Sequence, residues 1–222
     1  MMKAKSETLA APAKKARKPT ARMPMAERRA QILSKAFEYF SENGVNGQTR
    51  ALAEACGVSQ RLLYSVFPNK AALLAAVYEA EIAGPIKAVW FVLLKDRSRT
   101  VEERVTEFYR EYYDLILTRR WLRLFLHASL SEDINMASTY IARIVTNLLE
   151  MMVDEAAHEA GLRSPDDPAL KQEIGWTLHG AVSHLAIRRH IYHGANPKDP
   201  KEVITLHVKT FLAGLKAVLP AA

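Results

Sequence analysis

The chain has 222 residues, a formal net charge of +7 and one cysteine, Cys56. This length is sufficient for one large domain or two modest domains with hydrophobic cores, and a single cysteine excludes an internal disulfide bond. Glycine and proline are sparse, and the sequence has no long runs of alternating β-branched residues. The composition therefore favours an all-α fold, in which Cys56 is expected to be a small core residue.

Most of the positive charge lies at the N-terminus. Residues 1–24 carry a net charge of +6, so the remaining residues total only +1. Because this segment has no apolar periodicity, it is predicted to be a disordered basic arm. The arm either stays solvated or lies along DNA phosphates and the minor groove, where counterion release would make its contribution sensitive to salt.

Neither a membrane span nor a signal peptide is predicted. The apolar stretch at residues 88–94 is too short to cross a bilayer and is flanked by Lys87 and Lys95. The N-terminus lacks the hydrophobic core of a secretion signal. The sequence therefore predicts a soluble, cytoplasmic protein with no membrane partner.

A first helix is predicted from about Met25 to Asn43, ending at Gly44. Its apolar residues recur at helical spacing and form one stripe, made of Ile32, Leu33, Ala36, Phe37 and Phe40. Such a stripe needs partner helices to cover it, and residues 25–70 supply them as a predicted three-helix unit. A connecting helix from about Lys70 to Ala83 extends this unit.

Two short helices joined by a glycine turn are predicted next. Gly57 can end the first because it enters the left-handed region without a Cβ clash. Ser59 can cap the second by accepting a backbone N–H. Helices of this size cannot hold a core alone, so the pair is predicted to form a helix-turn-helix.

The second of these helices presents amide, guanidinium and phenol groups suited to base edges and phosphates in a DNA major groove. Its outward positions are Gln60, Arg61, Leu62, Tyr64 and Ser65. Leu63 and Phe67 are predicted to face inward as core. A glycine turn between amphipathic helices also occurs in bundles that never meet DNA, so the motif alone is only moderately specific.

The residues after the turn add specificity. Pro68 ends the second helix, and Asn69 caps a further helix that begins with Lys70, where free N–H groups attract anions. With this continuation, the stretch from about Ala26 to Ala83 resembles the TetR family of bacterial transcriptional regulators. The positions that fall on the family's signature are Thr49, Leu52, Ala53, Gly57, Val58, Ser59, Leu63, Tyr64, Phe67, Lys70 and Leu73.

The resemblance implies roles for these side chains. It implies that Thr49 and Arg50 approach the DNA backbone and that Tyr64 and Lys70 contact phosphates. The positions that would face bases are Gln60, Arg61 and Leu62, with Ser65 on the same exposed face. It also implies a DNA-binding domain at residues 25–83 that reads a palindromic operator in double-stranded DNA, most often as a repressor.

A second, larger helical domain is predicted at residues 84–222. Residues 86–94 are strongly apolar, and helices are expected at about 101–117, 121–130, 134–160, 168–193 and 200–219, from the recurrence of apolar residues at helical spacing. Ser131-Glu132-Asp133 would supply a break and a cap, and Gly161 would close the long helix that follows.

The second domain either is solidly packed or encloses a small-molecule cavity. Its candidate lining residues are Trp90, Phe108, Tyr112, Trp121, Phe125, Met151 and Trp176. The family resemblance implies a cavity, because TetR-like regulators commonly bind an inducer between these helices. The expected effector is therefore a small molecule that the sequence does not identify.

The last two helices contain small residues that allow close helix approach, namely Gly175, Gly180, Ala181 and Ser183. The resemblance implies a homodimer in which two such helices from each subunit form a four-helix interface. The alternative is an intramolecular hairpin packed on the body. A two-fold dimer would read half-sites about 34–36 Å apart.

No catalytic or metal site is predicted, and no cofactor is implied. Among the seven histidines, His190 and His193 are three residues apart, but no carboxylate or cysteine has matching helical spacing. Neither a glycine-rich phosphate loop nor a nucleophile elbow is present in the sequence. The alternatives to an operator-specific regulator are a DNA-compacting protein driven by its basic arm, and a ligand-binding or catalytic helical protein without operator specificity.

Overall fold

The computed structural model describes residues 23–85, 88–130, 140–194 and 198–222. Its helices are α1 Met25–Asn43, α2 Thr49–Ala55, α3 Gln60–Val66, α4 Lys70–Tyr78, α5 Ala88–Lys95, α6 Val101–Leu115, α7 Arg119–Ser129, α8 Thr146–Ala160, α9 Pro168–His190 and α10 Pro200–Val218. A π-helical turn follows α4 at Glu79–Ala83, and another precedes α8 at Ile141–Val145. The predicted all-α fold is confirmed. The predicted basic arm, apart from its last two residues, and the predicted cap at 131–133 lie outside the described residues.

Helix α1 organises the N-terminal unit. Its buried side chains include Ile32, Ala36 and Phe40, all on the apolar stripe, and it packs against α2, α4 and α7. Cys56 is buried as expected, and burial raises the pKa of its thiol to about 11. This thiol therefore stays protonated at neutral pH and acts as a small apolar group.

The turn between α2 and α3 has the predicted local structure. Gly57 adopts a φ of +67°, in the left-handed region that favours glycine. The hydroxyl of Ser59 accepts a hydrogen bond from the N–H of Leu62 at 3.2 Å and caps α3. Asn69 caps α4 in the same way, by accepting from the N–H of Ala72 at 2.8 Å.

The C-terminal body is built around α6 and α8. Helix α6 packs against α5, α8, α9 and α10, and α8 makes an extensive contact with α9. The α8–α9 approach is close at Gly175, where an added Cβ would lie 2.7 Å from the Cβ of Leu149. Glycine at this position is therefore required by packing and not by backbone conformation.

Several helix ends differ from the predicted ones by a few residues. Helix α7 begins at Arg119, two residues before the predicted start, because the hydroxyl of Thr118 accepts from the N–H of Trp121 at 3.3 Å and caps it. Helix α9 ends at His190 instead of His193. The αL glycine at Gly161 closes α8 as predicted, with a φ of +65°.

One buried ion cluster connects three parts of the body. Arg104, on α6, is 1% exposed and lies 3.1 Å from a carboxylate oxygen of Glu155, on α8. It also donates to the carbonyl of Leu94, at the end of α5. Arg97 forms two further hydrogen bonds with Glu155, at 3.0 and 2.9 Å. This cluster links the α5–α6 connection to α8.

Within the described ranges, no helix combines the length and the apolar character that a bilayer crossing requires.

Candidate DNA-binding face and ligand cavity

Helix α3 projects most of its predicted DNA-reading side chains into solvent. Gln60, Arg61 and Ser65 are exposed, and Tyr64 is 42% exposed. Leu62 is half-buried, and the Ser65 hydroxyl donates to its carbonyl at 2.8 Å. The two predicted core residues of this segment, at positions 63 and 67, are buried. The face therefore offers one amide, one guanidinium and one phenol.

A shallow cleft of about 540 Å³ joins this face to α2. Its lining residues are Arg50, Ala53, Glu54, Val58, Ser59 and Gln60. Arg50 is exposed and Thr49 is half-buried. Neither Arg50 nor Arg61 forms an ion pair with any residue in the described ranges. Both guanidinium groups can therefore bind phosphate or a guanine edge without first breaking a salt bridge.

Lys70 has a structural contact that the sequence did not indicate. Its Nζ donates to the carbonyl of Gly47 at 2.7 Å and so ties the start of α4 to the α1–α2 loop. Partial burial lowers the pKa of this ammonium group. One of its three N–H groups is used in this bond, which leaves two for a phosphate.

In the C-terminal body, a cavity of about 190 Å³ lies between α6, α7, α9 and the turn before α8. Its lining residues are Tyr112, Leu117, Trp121, Leu122, Phe125, Leu126, Tyr140, Ile141, Val145, Trp176, His179, Ser183 and Ile187. Four of the seven candidate lining residues, at positions 112, 121, 125 and 176, are among them. The structure thus brings together residues that are up to 64 positions apart in the sequence.

The other three candidates lie elsewhere. Trp90 and Phe108 are fully buried and pack edge to face, with ring centroids 5.5 Å apart. The indole N–H of Trp90 donates to a carboxylate oxygen of Glu111 at 2.6 Å. Met151 is half-buried and packs against the core of the body. The prediction that these three side chains line this cavity is therefore wrong, because all three pack into the core instead.

His179 is a lining residue that the sequence did not single out. It is 4% exposed, and its Nδ1 lies 3.4 Å from the hydroxyl of Tyr109. Burial lowers the pKa of His179 to about 4, so the imidazole is neutral at pH 7. Its spacing from other histidines gave no signal, because its hydrogen-bond partner, Tyr109, comes from α6.

Two tyrosine hydroxyls at the cavity wall bond each other. Tyr112 and Tyr140 have their oxygens 3.0 Å apart, and burial raises the pKa of both phenols. Both therefore stay protonated and uncharged. Trp121 and Phe125 stack beside them with centroids 4.7 Å apart. The wall is consequently aromatic and neutral.

Helix α7 connects this cavity to the DNA-binding unit. Its apolar face supplies four residues that line the cavity, and its basic face packs against the end of α1. Arg123 donates to the carbonyls of Ser41 and Glu42 at 2.6 and 2.9 Å. Arg120 lies over the ring of Phe37, with 4.4 Å between its guanidinium carbon and the ring centroid. The contacts of these arginines with α1 were not predicted from the sequence, although their alternation with apolar residues indicates an amphipathic helix.

An apolar groove of about 480 Å³ runs between α9 and α10 on the outside of the body. It is lined by Leu170, Ile174, Thr177, Ala181, His207, Thr210, Phe211, Gly214, Leu215 and Val218. Leu170 and Val218 are 51% and 64% exposed. This face carries no Lys, Arg, Asp or Glu among its lining residues, which is unusual for the surface of an isolated soluble subunit.

Across the described ranges, no three His, Cys, Asp or Glu side chains are grouped so that they could hold a metal ion.

Comparison with known proteins identifies the N-terminal unit. Residues 32–77 match the family described as "Bacterial regulatory proteins, tetR family". No curated protein sequence shows significant similarity to the chain.

Solved structures share this fold over most of the chain. A putative transcriptional regulator from Pseudomonas aeruginosa is 18% identical, with a TM-score of 0.69 over 89% of this chain and 94% of that one. The fatty acid degradation regulator FadR from Bacillus halodurans is 17% identical, with a TM-score of 0.65 over 84% and 98%. FadR from Thermus thermophilus, a TetR-family repressor in complex with lauroyl-CoA, is 21% identical, with a TM-score of 0.55 over 84% and 94%.

The helix-turn-helix carries the family's signature residues, residues 32–77 match the family, and the described helices have the fold of its solved regulators. The N-terminal unit of the chain thus matches the TetR family of bacterial regulatory proteins, and the described helices of the chain share the fold of solved regulators of that family.

Proposed function

We propose that the protein is a transcriptional repressor that binds a palindromic operator as a homodimer and is released by a small molecule. Residues 25–83 would form the DNA-binding domain, and residues 84–222 the ligand-binding and dimerisation domain. The observation that carries the proposal is the exposed face of α3, on which Gln60 and Arg61 lie free of ion pairs with described residues. This face lies on the unit that matches the family.

Base recognition would come from the first turn of α3. Glutamine can pair with both edge atoms of adenine, arginine can pair with guanine, and Leu62 can contact a thymine methyl group. Phosphate contacts would come from Thr49, Arg50, Tyr64, Ser65 and Lys70. The bond from Lys70 to the Gly47 carbonyl supports this role, because it holds the α4 N-terminus and the α1–α2 loop together.

We expect Gln60→Ala or Arg61→Ala to weaken operator binding by roughly 1–3 kcal/mol for each lost bidentate pair. The operator is first obtained by selecting genomic fragments bound to the purified protein, and affinity is then measured on operator and random DNA at one salt concentration. Lys35→Ala, on α1 in an exposed ion pair with Glu38, is the control. Equal losses on operator and random DNA would contradict base reading by these residues.

The same measurements separate the proposal from a DNA-compacting protein. For an operator-specific regulator, removal of residues 1–24 should weaken binding to both DNAs and preserve the preference for the operator. Abolished binding after this deletion would favour the compacting protein, because six net positive charges lie in the deleted segment.

Homodimerisation would cover the apolar groove between α9 and α10. A second copy of the same face supplies matching apolar surface, and two-fold symmetry gives the dimer two identical α3 helices, as a palindromic operator requires. Gly214 lies in this groove, and a Cβ added there would have no atom within 4 Å. A side chain at this position is therefore accommodated by the single subunit but would project into the proposed partner.

Gly214→Glu is accordingly expected to convert the dimer to a folded monomer. Sedimentation equilibrium measures the mass, and circular dichroism verifies the helix content. Lys216→Glu introduces the same side chain two residues later, about 200° around the helix, and should leave the dimer intact. A Gly214→Glu protein that remains dimeric would show that the subunits associate through another surface.

Release by an effector would act through α7 as well as through the connecting helix α4. A ligand in the cavity contacts α7 side chains, and the opposite face of α7 holds α1 through Arg119, Arg120 and Arg123. Such a ligand shifts the equilibrium only if it binds the DNA-incompetent form more tightly. Operator affinity that is unchanged by every bound ligand would contradict this part of the proposal.

Lauroyl-CoA, the ligand of FadR from Thermus thermophilus, does not match the chemistry of this cavity. Coenzyme A carries several negative charges, whereas no lysine or arginine is among the described lining residues. The cavity of about 190 Å³ is also smaller than the several hundred cubic ångströms that enclose a drug-sized ligand. The effector is therefore a smaller and less polar molecule.

A further inference from the structure

The size of the cavity limits its occupant to one ring with a small substituent. An apolar protein cavity of about 150 Å³ accepts benzene, and the present cavity has about 190 Å³. A fused ring system or a long acyl chain would require its walls to move. The aromatic side chains of Trp121, Phe125, Tyr140 and Trp176 can pack against the faces and edges of a planar ring.

The walls also exclude ions. No Lys, Arg, Asp or Glu is among the described lining residues. The titratable lining groups, Tyr112, Tyr140 and His179, are all neutral at pH 7 for the reasons given above. A carboxylate or an ammonium group buried here would lose its hydration without gaining a counter-charge, so its binding is strongly disfavoured.

Two lining residues can still recognise a polar group. The indole N–H of Trp121 is buried without a hydrogen-bond partner among the described residues, and His179 offers a ring nitrogen. His179 is almost fully buried, and Tyr109 lies near Nδ1 only. The other ring nitrogen, Nε2, has no hydrogen-bond partner among the described residues. A ring nitrogen without a protein partner gains a hydrogen bond when a ligand brings a hydroxyl or carbonyl group to it.

We propose that the cavity selects an uncharged, single-ring aromatic molecule with one hydroxyl or carbonyl group, and that His179 binds this group. The proposal rests on the proposed function, because it identifies the chemical class of the effector. The affinity of the protein for such a molecule can be measured without DNA.

Four probes of similar size and different polarity test the proposal on the full-length protein. Isothermal titration calorimetry near neutral pH measures the affinities of benzyl alcohol, ethylbenzene, benzylammonium and benzoate. We expect the two neutral probes to bind and each ion to bind at least about a hundredfold more weakly than benzyl alcohol. An ion that binds as tightly as benzyl alcohol, or no binding of either neutral probe, would overturn the proposal.

The role of His179 is tested with His179→Phe, which keeps a ring of similar size and removes both nitrogens. Its affinity for benzyl alcohol should fall about two- to tenfold, while its affinity for ethylbenzene should stay the same or rise. An equal change for both probes would contradict the hydrogen bond.

Ser183→Leu provides an independent test of the cavity itself. Ser183 is half-buried and lines the cavity, so a leucine side chain there should fill much of the space. We expect this variant to lose both neutral probes. Unchanged binding would mean that the probes occupy another site, and the assignment of this cavity would be wrong.

Ligand binding and operator release are measured separately, so the ligand class and the regulatory function can be contradicted independently. If benzyl alcohol binds and operator affinity does not change, the ligand class stands and the allosteric mechanism is contradicted. If a charged compound releases the operator and the neutral probes do not bind, the regulator stands and the ligand class is contradicted.

Discussion

Replacing Glu155 by alanine is expected to lower the free energy of unfolding of the full-length protein by about 3–5 kcal/mol, as measured by urea denaturation. The substitution leaves the guanidinium of Arg104, which is 1% exposed, without its nearest carboxylate. The remaining carboxylate, Glu159, is 3.6 Å away and its side chain is 41% exposed. A partly hydrated carboxylate at this distance compensates only part of a buried charge.

Two controls separate the buried charge from a simple loss of packing. Arg97→Ala removes the exposed partner of Glu155 and should have a much smaller effect, because solvent already screens that side chain. The double variant Arg104→Met, Glu155→Leu removes both buried charges and should recover much of the lost stability. A double variant as unstable as Glu155→Ala would contradict the explanation.

Lowering the pH from about 6.5 to about 4 is expected to remove about 3 kcal/mol of stability through His179. Burial lowers the pKa of this imidazole from 6.5 to about 4 in the folded protein. Between these values the unfolded chain binds a proton that the folded chain excludes, so acid favours unfolding. Above pH 6.5 both states are neutral, and below about pH 4 both are protonated, so the effect is confined to this interval.

The measurement is urea denaturation at a series of pH values for the wild-type protein and His179→Phe. The buried groups around His179 from α6 and α9 are Tyr109, Tyr112 and Trp176, none of which titrates in this interval. His190 and His207 also have lowered pKa values and add to the slope of both proteins. The difference between the two curves therefore isolates His179, and parallel curves would contradict its lowered pKa.

The glycine turn and the two caps around α3 could be predicted because they depend on neighbours in the sequence. Gly57 is needed for a left-handed backbone position, and Ser59 and Asn69 accept N–H groups three residues ahead. Such local requirements are independent of the rest of the chain. The exposure of Gln60 and Arg61 follows from the same helical periodicity, with core residues at 63 and 67.

The cavity could be predicted only in part, because bulk and aromaticity do not distinguish a wall from a core. Trp90 and Trp121 are both large and buried, yet Trp90 packs within the core against Phe108, whereas Trp121 faces the space between α6, α7 and α9. Which side of a helix meets a gap depends on how several helices pack together. No local pattern in the sequence contains that information.

Periodicity, turn chemistry and a contiguous motif were sufficient to predict the all-α class, the helix-turn-helix with its caps and the resemblance of the N-terminal unit to the TetR family. The two roles of α7 were visible only in the tertiary structure: one face lines the cavity and the other forms hydrogen bonds with α1. The same is true of the neutral His179 at the cavity. Both depend on contacts between residues 70 or more positions apart. Long-range packing and the loss of hydration that accompanies it determine those contacts and the resulting pKa.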